Sequence, residues 1–210
     1  MRLYEFGPTR ALRVRWTLQE LGVEFEAVSV NMLAGEHHTP EFLQLNPAAR
    51  LPVLVDGDQV LTESAAIVLY LAEKYPQGKL LPANVTERAQ AYRWLLFTVT
   101  ELEQPLWRMA RHEFLYPEEK RSTQDIQLAR EDFRPMIEVL ARHMQGRTYV
   151  VGNSVTVTDF ILAYTLDWAN EVELLGDFPQ LKQYMENMYR RPKAVMRIAA
   201  ASAAAGTDQG

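Results

Sequence analysis

The chain has no cysteine among its 210 residues. Disulfides, thiolate-bound metals and any chemistry that starts from a protein thiol are therefore excluded. Histidine is scarce: His37, His38, His112 and His143 show neither a His-x-Glu nor a His-x-x-x-His spacing, so no metal site is expected. No stretch approaches the roughly 18 consecutive apolar residues of a membrane span. Met1 to Gly7 carries Arg2 without the apolar run of a secretory signal behind it, so a cytoplasmic location with no membrane partner is the expectation. A basic excess is also lacking. The 22 Lys and Arg face 27 Asp and Glu, a net charge of −5, which argues against a nucleic-acid partner.

What is present is enough for a packed core, since 48% of residues are apolar and 10% aromatic. Leu3 to Phe6 alternates as a short strand, and Gly7-Pro8-Thr9 ends it. Leu12, Trp16, Leu18 and Leu21 recur at helical spacing, with Gly22 as the stop. Phe25 to Val30 alternates again, giving β-α-β with a right-handed crossover. A looser stretch, Met32 to Asn46, holds a short helix at Pro40 to Leu45. Pro52 to Val55 and Gln59 to Thr62 read as strands around Asp56-Gly57-Asp58, a strong hairpin signal, and an amphipathic helix follows from Ser64 to Tyr75.

Past this β-α-β-(α)-β-β-α pattern the strand signal nearly vanishes. Helical periodicity covers Glu87 to about Phe114, Thr123 to Met144, Thr158 to Leu174, Pro179 to Tyr189 and Lys193 to about Ala203. Pro135 is expected to kink or break the second of these. The organisation expected is an α/β domain over 1–76, a linker over 77–86, an all-helical domain over 87–205 and a disordered tail over 206–210.

Three short constellations could carry chemistry. In Asn46 to Leu54, Pro52 opens a strand without a ladder donor; were the Leu51–Pro52 bond cis, the Val53 backbone would be aimed outward to pair with an extended peptide. An ordinary loop proline is the plain alternative. Next, Glu63 and Ser64 lead into an apolar helix. Ser64 and the free amides there suit a carboxylate and Glu63 an ammonium, together an amino-acid head group, although a routine helix cap would look the same. Third, the amides and hydroxyl of Gly7-Pro8-Thr9-Arg10 point where an anion would sit. Lowering a bound thiol's pKa by about two units requires roughly 2.7 kcal/mol. One hydrogen bond to the thiolate supplies about 1.5–3 kcal/mol and a helix N-terminus about 0.3–1 kcal/mol, so one hydroxyl and one helix end suffice.

The order of Leu3-Tyr4, Arg13-Val14-Arg15-Trp16, Gln19-Glu20-Leu21-Gly22, Gly35-Glu36-His37, Pro40-Glu41-Phe42, Asn46-Pro47, Leu51-Pro52-Val53-Leu54 and Glu63-Ser64-Ala65 resembles the glutathione S-transferase family. Thr156-Val157-Thr158-Asp159 is similar to the family's buried capping box, and Tyr189-Arg190-Arg191-Pro192 to its C-terminal helix signature, so the resemblance spans nearly the whole chain. It implies a thioredoxin-like glutathione-binding domain followed by a helical bundle, working as a homodimer in detoxification with glutathione as co-substrate and no metal. Glu63 and Ser64 would hold the γ-glutamyl group, Pro52 and Val53 the cysteinyl backbone, and Arg50 with His37 or His38 the glycine carboxylate. The match weakens at the thiol. Theta-like and delta-like members place a serine in the first loop, whereas this chain offers Thr9, with Arg10 or backbone amides as substitutes; Tyr4 lies inside its strand and faces the sheet's packing.

In the resembled fold a small hydrophobic electrophile lies against the helix beginning near Glu87, where Trp107, Arg108, Arg111 and Tyr116 would line the acceptor pocket; core on one side and solvated charge on the other is the plain reading. Arg88, Tyr92, Arg93 and Trp94 suit a mixed isologous interface. The implied reaction is attack of bound glutathione's thiolate on the electrophile. A glutathione-dependent isomerase or peroxidase, a binding protein with little catalysis, and an assembly domain that has lost the site are the competing readings.

Overall fold

A computed structural model of the chain describes residues 1–207. In order the elements are β1 (Arg2–Glu5), α1 (Ala11–Leu21), β2 (Glu26–Ser29), α2 (Pro40–Leu45), β3 (Val53–Asp56), β4 (Gln59–Leu61) and α3 (Ser64–Lys74). The helices α4 (Val85–Phe97), α5 (Glu103–Ala110), α6 (Thr123–His143), α7 (Val157–Glu171), α8 (Pro179–Tyr189) and α9 (Ile198–Thr207) follow. The chain forms two compact units, Met1–Leu81 together with the segment from Met188 onward, and Pro82–Asn187.

The first unit is built on a four-stranded sheet in the order β2-β1-β3-β4, with β1 parallel to β2 and antiparallel to β3. This is the mixed sheet of a thioredoxin-like fold. Leu3, Val53 and Leu54 are fully buried at its centre, and Leu18 of α1 and Ile67, Val68 and Leu71 of α3 are buried as well. A smaller cluster of Val30, Phe42, Leu51, Val53 and Val55 gathers Tyr4, Phe6, Met32 and Leu45 around it, and Tyr4 meets Phe42 edge to face. Gly22 closes α1 at φ 66°, a left-handed backbone that glycine adopts without a Cβ penalty, and its N–H returns to the Gln19 and Leu18 carbonyls.

The boundary expected at 205 falls elsewhere, because the chain from Met188 packs with the first unit rather than with the helices before it. Arg191 donates to both carboxylate oxygens of Glu20, at 2.7 and 2.9 Å, and Lys193 to the Glu20 carbonyl at 3.2 Å. Tyr189 lies 4.9 Å from the fully buried Trp16 ring. Burial opposes ionisation of Glu20, but the Arg191 guanidinium outweighs it and holds the carboxyl below its usual value. Of the tail expected over 206–210, residues 206 and 207 complete α9, and 208–210 lie outside the described residues.

The second unit is all-helical in its described residues. The stretch expected as one helix from Glu87 to Phe114 is interrupted twice by wider π turns, at Thr98–Leu102 and Arg111–Leu115. Pro105 explains the first. It cannot donate to the carbonyl four residues back and its ring crowds that carbonyl, so the preceding turn opens and the Glu103 N–H bonds Thr98 instead. By contrast, α6 runs unbroken through Pro135, against the expected kink or break. Pro135 and Glu131, whose carbonyl loses its partner, are both exposed, so water can satisfy that carbonyl.

The centre of this unit is α7, whose N-terminus is closed by Thr156 and Asp159 as a capping box. Asp159 is fully buried and accepts from the Val150 N–H (2.9 Å), the Thr156 N–H (2.8 Å) and hydroxyl (2.9 Å), and the Tyr184 hydroxyl (2.8 Å). Burial pushes its carboxyl upward against the pull of those donors. Asp159→Ala leaves several buried donors without an acceptor, so it is expected to lower the unfolding free energy by about 3–5 kcal/mol. Urea denaturation followed by tryptophan fluorescence measures this; a loss below about 1 kcal/mol would show that other groups satisfy these donors.

Candidate functional site

The site residues of the first unit are gathered by strand direction. β1 and β4 both end at one edge of the sheet and β3 begins there, because Tyr4 pairs with Val53 and Leu54 with Leu61. The β1–α1 loop with Thr9 and Arg10, the Pro52–Val53 start of β3, and Glu63–Ser64 at the head of α3 therefore meet at that edge. The Leu51–Pro52 peptide is cis, as is Gly7–Pro8. The β3–β4 register stops at Leu54 and Leu61, one residue short of Val53.

Ser64 is 5% exposed, and its hydroxyl accepts from the Arg13 guanidinium at 3.2 Å. Arg13, on α1, is 1% exposed, so a cation lies directly beneath the hydroxyl and the free amides of the α3 N-terminus. The arrangement favours a carboxylate above Ser64. Glu63 is exposed and sits at φ 65°, ψ 107°, a backbone region that residues with a Cβ rarely occupy, with no cap bond from its side chain. Strain of this kind is held by surrounding structure at about 1–3 kcal/mol.

Thr9 is occupied locally. Its hydroxyl donates to the Phe6 carbonyl and accepts weakly from the Ala11 N–H at 3.4 Å. Arg10 is the first residue of the turn into α1 and makes no side-chain cap bond. His37 and His38 share a short 3-10 turn, Glu36–His38, with their rings 4.0 Å apart. Burial first, then His38 and Arg50, push the His37 imidazole below its ordinary value. The three cationic or potentially cationic groups thus stand close enough to repel one another, and the His37 Nδ1 is buried without a hydrogen-bond partner.

Trp107, Arg108, Arg111 and Tyr116 all belong to the second unit. The first three border a cleft of about 470 Å³ with Glu101, Asp132 and Met136. Arg108 is committed to Asp125 (2.6 Å) and Asp132 (3.0 Å), whereas the Arg111 guanidinium lies 4.7 Å above the Tyr116 ring. Among the described residues no group of three or more His, Asp or Glu could hold a metal ion, and no helix is long and apolar enough to cross a membrane.

Two residues of the first unit escaped sequence reasoning. Arg13 interrupts the apolar run Ala11, Leu12, Val14 on α1, and a charge inside such a run is the signal that could have marked it. Asn46 is buried and shapes the turn before β3 by donating to the Arg50 carbonyl at 2.8 Å and accepting from the Ala48 N–H at 3.0 Å.

Residues 1–73 match the N-terminal domain of glutathione S-transferase and residues 104–192 its C-terminal domain. Glutathione S-transferase 1 of Dianthus caryophyllus is 37% identical over 166 residues, covering 78% of this chain and 74% of that protein. Glutathione S-transferase F9 of Arabidopsis thaliana is 33% identical over 197 residues, covering 89% of each. Among solved structures, the ternary complex of BphK, a bacterial enzyme of the same kind, superposes with a TM-score of 0.82 at 28% identity, covering 98% of this chain and all of that one. The chain belongs to the glutathione S-transferase family.

The Glu63 backbone gives a direct test of strain at the site. Glu63→Gly removes the Cβ that disfavours φ 65° and is expected to stabilise the protein by up to about 1 kcal/mol, once glycine's larger unfolded-state entropy is set against the relief. An unchanged or lower urea midpoint would show that the Glu63 side chain contributes more to the fold than its backbone conformation costs.

Proposed function

We propose that this glutathione transferase binds glutathione extended along the open edge of the first unit and activates its thiol at the β1–α1 loop for attack on a small hydrophobic electrophile. The γ-glutamyl carboxylate sits on Ser64 and the α3 amides, above Arg13, and its ammonium faces Glu63. The cysteinyl backbone pairs with Val53 beside Pro52. The glycine carboxylate is received by Arg50 and His37, with His38 next to it. Trp107, Arg108, Arg111 and Tyr116 serve the acceptor, and two copies of the chain assemble as a cytoplasmic homodimer acting in detoxification. The observation that carries this reading is the Ser64–Arg13 pair, a hydroxyl polarised by a buried guanidinium at a helix N-terminus that lies on the same sheet edge as Val53 and Thr9.

The protein supplies no nucleophile of its own. Catalysis comes from lowering the glutathione thiol's pKa and from holding sulfur and electrophile together. For Thr9 to reach the sulfur, its hydroxyl turns from the Phe6 carbonyl to the thiolate, an exchange favoured because an anionic acceptor binds a donor more strongly than a neutral one. Thr9→Ala is expected to reduce kcat/KM for a chromogenic aryl halide by about tenfold to a hundredfold and to raise the apparent pKa of the bound thiol by about one unit or more. An unchanged pH–rate profile would assign the thiolate to backbone amides instead. The engagement of Thr9 with Phe6 favours a second reading, a glutathione-binding protein with little turnover. That reading is separated by tight glutathione binding without aryl halide conversion in the unmutated protein.

His37 gives glutathione binding a pH dependence of defined sign. Its pKa is depressed in the free protein, and a bound carboxylate stabilises the protonated ring. Affinity is therefore greatest below the depressed pKa of the free protein and is lost as pH rises from there through the higher pKa of the complex. Calorimetry at about pH 5.5 and about pH 7.5 is expected to show weaker binding at the higher pH, with the difference abolished in His37→Gln. Equal pH dependence in both proteins would remove His37 from the carboxylate site.

A further inference from the structure

Between α2 and β3 the chain turns over residues 46–50, and the polar groups of that turn converge on Asn46, which is 5% exposed. The Asn46 N–H returns to the Phe42 carbonyl at 2.9 Å, and the Asn46 carbonyl accepts from the Ala49 N–H at 2.9 Å. Its side-chain amide donates to the Arg50 carbonyl at 2.8 Å, and its side-chain oxygen accepts from the Ala48 N–H at 3.0 Å. Asparagine carries its donor and its acceptor on separate atoms of a short side chain, so it can tie two points of a tight turn at once.

Both ends of the turn are anchored in the core. Phe42 and Leu51 belong to the same buried cluster as Val53, so the chain is fixed before the turn and again at the residue after Arg50. Within the turn Ala49 sits at φ 52°, in the left-handed region, where a residue with a Cβ has a small allowed well and glycine a broad one. The Asn46 side chain and the narrow Ala49 well together leave the peptide that carries Arg50 little room to shift. Arg50 itself is exposed. Burial, then His38 and Arg50, lower the His37 imidazole, which puts the Arg50 charge within electrostatic reach of that ring.

We infer that Asn46 is a positioning residue for the glycyl end of glutathione. By pinning the Arg50 backbone it holds the guanidinium where the second carboxylate arrives, and so sets the preference for the tripeptide over γ-glutamylcysteine, which lacks the glycine. The inference rests on the reading that Arg50 receives the glycine carboxylate. A long, exposed arginine loses rotamer freedom when it binds an anion, and a fixed backbone reduces what remains to be ordered at that step. Asn46 touches no part of the tripeptide; it acts through Arg50. Ala49 serves the same end, since an alanine in the left-handed region restricts the turn where glycine would loosen it.

The test is calorimetry with glutathione and with γ-glutamylcysteine, read as the ratio of their affinities on one protein, so that no turnover is needed. The unmutated protein is expected to favour glutathione about tenfold or more, and Arg50→Ala to cut that ratio about fivefold or more. Asn46→Ala is expected to cut it about threefold to tenfold while leaving the affinity for γ-glutamylcysteine unchanged. Combined with Arg50→Ala it lowers the ratio no further, because the two residues act as one unit. Ala49→Gly keeps every hydrogen bond of the turn available and relieves the positive φ. It is expected to hold the urea midpoint and lower the ratio about twofold, and it decides the matter where Asn46→Ala does not fold. Equal weakening of both ligands by Asn46→Ala overturns the inference, because that is the mark of a merely structural residue. A ratio unchanged in both turn variants, or losses that add in the double variant, overturns it as well. An Arg50→Ala protein that keeps the full ratio sinks the placement of the glycine carboxylate and the inference with it, whereas failure of the Asn46 variants alone leaves that placement standing.

Discussion

The first unit depends on the way one strand is paired. β1 runs parallel to β2 and antiparallel to β3, so the end of β1, the start of β3 and the end of β4 are forced to the same edge of the sheet. Residues more than fifty positions apart are brought together with no contribution from their own side chains. The buried Arg13 then fixes what that edge can hold. A guanidinium with its charge directed at Ser64 gives the α3 N-terminus a second source of positive potential besides its own amides. Glutathione suits such an edge because it brings a carboxylate at each end and an extended amide backbone between them.

The second unit is stabilised in a different currency. Its long helices are capped by side chains at their starts, with Asn84 before α4, Ser122 before α6 and Thr156 before α7. Of these only the last is buried, and it recruits Tyr184 from α8 as well as the loop at Val150. A polar network closed on one carboxylate has few alternative arrangements, whereas an apolar helix face tolerates many. The capping box accordingly contributes uniqueness of packing as well as stability.

Much of this was legible in the sequence, and the reason is local. The switch from a two-residue to a helical period, Gly22 as a stop and Asp56-Gly57 as a turn place β1 to α3 to within a residue or two of where they lie, whereas the helix expected from Lys193 to about Ala203 lies at Ile198–Thr207. The strands are short enough that one side-chain period defines each. What the sequence did not disclose is set by contacts between distant positions or by backbone geometry without a compositional mark. The Arg191–Glu20 pair joins residues 171 positions apart, and nothing in the periodicity around Met188 says which surface the chain will return to. Glu63 carries no sign of its positive φ, because glutamate is common at helix starts for its charge alone. The occupation of the Thr9 hydroxyl by Phe6 is a matter of a single rotamer, so the loop's potential was legible while its resting state was not. Arg13 was named within a motif yet left out of the site, since a charged residue at the start of a helix reads first as a solvated one.

The π turn before Pro105 has a consequence for how the helical stretch from Val85 to Ala110 is read. A turn closed by an i to i+5 bond holds one residue more than its α neighbours, equivalent to a single insertion absorbed without a loop. Every position after it is rotated by about 100° relative to an unbroken wheel drawn from Val85. Arg108, which an unbroken wheel would set about 40° from Trp94, is thereby turned to about 140° from it, away from the stripe that bears Ala91 and Trp94. Two homologous chains that differ by one residue in this stretch can present the same surface, one through a wide turn and the other through a regular one. Helix winding here takes the place that loop length occupies elsewhere as the buffer for variation in the chain.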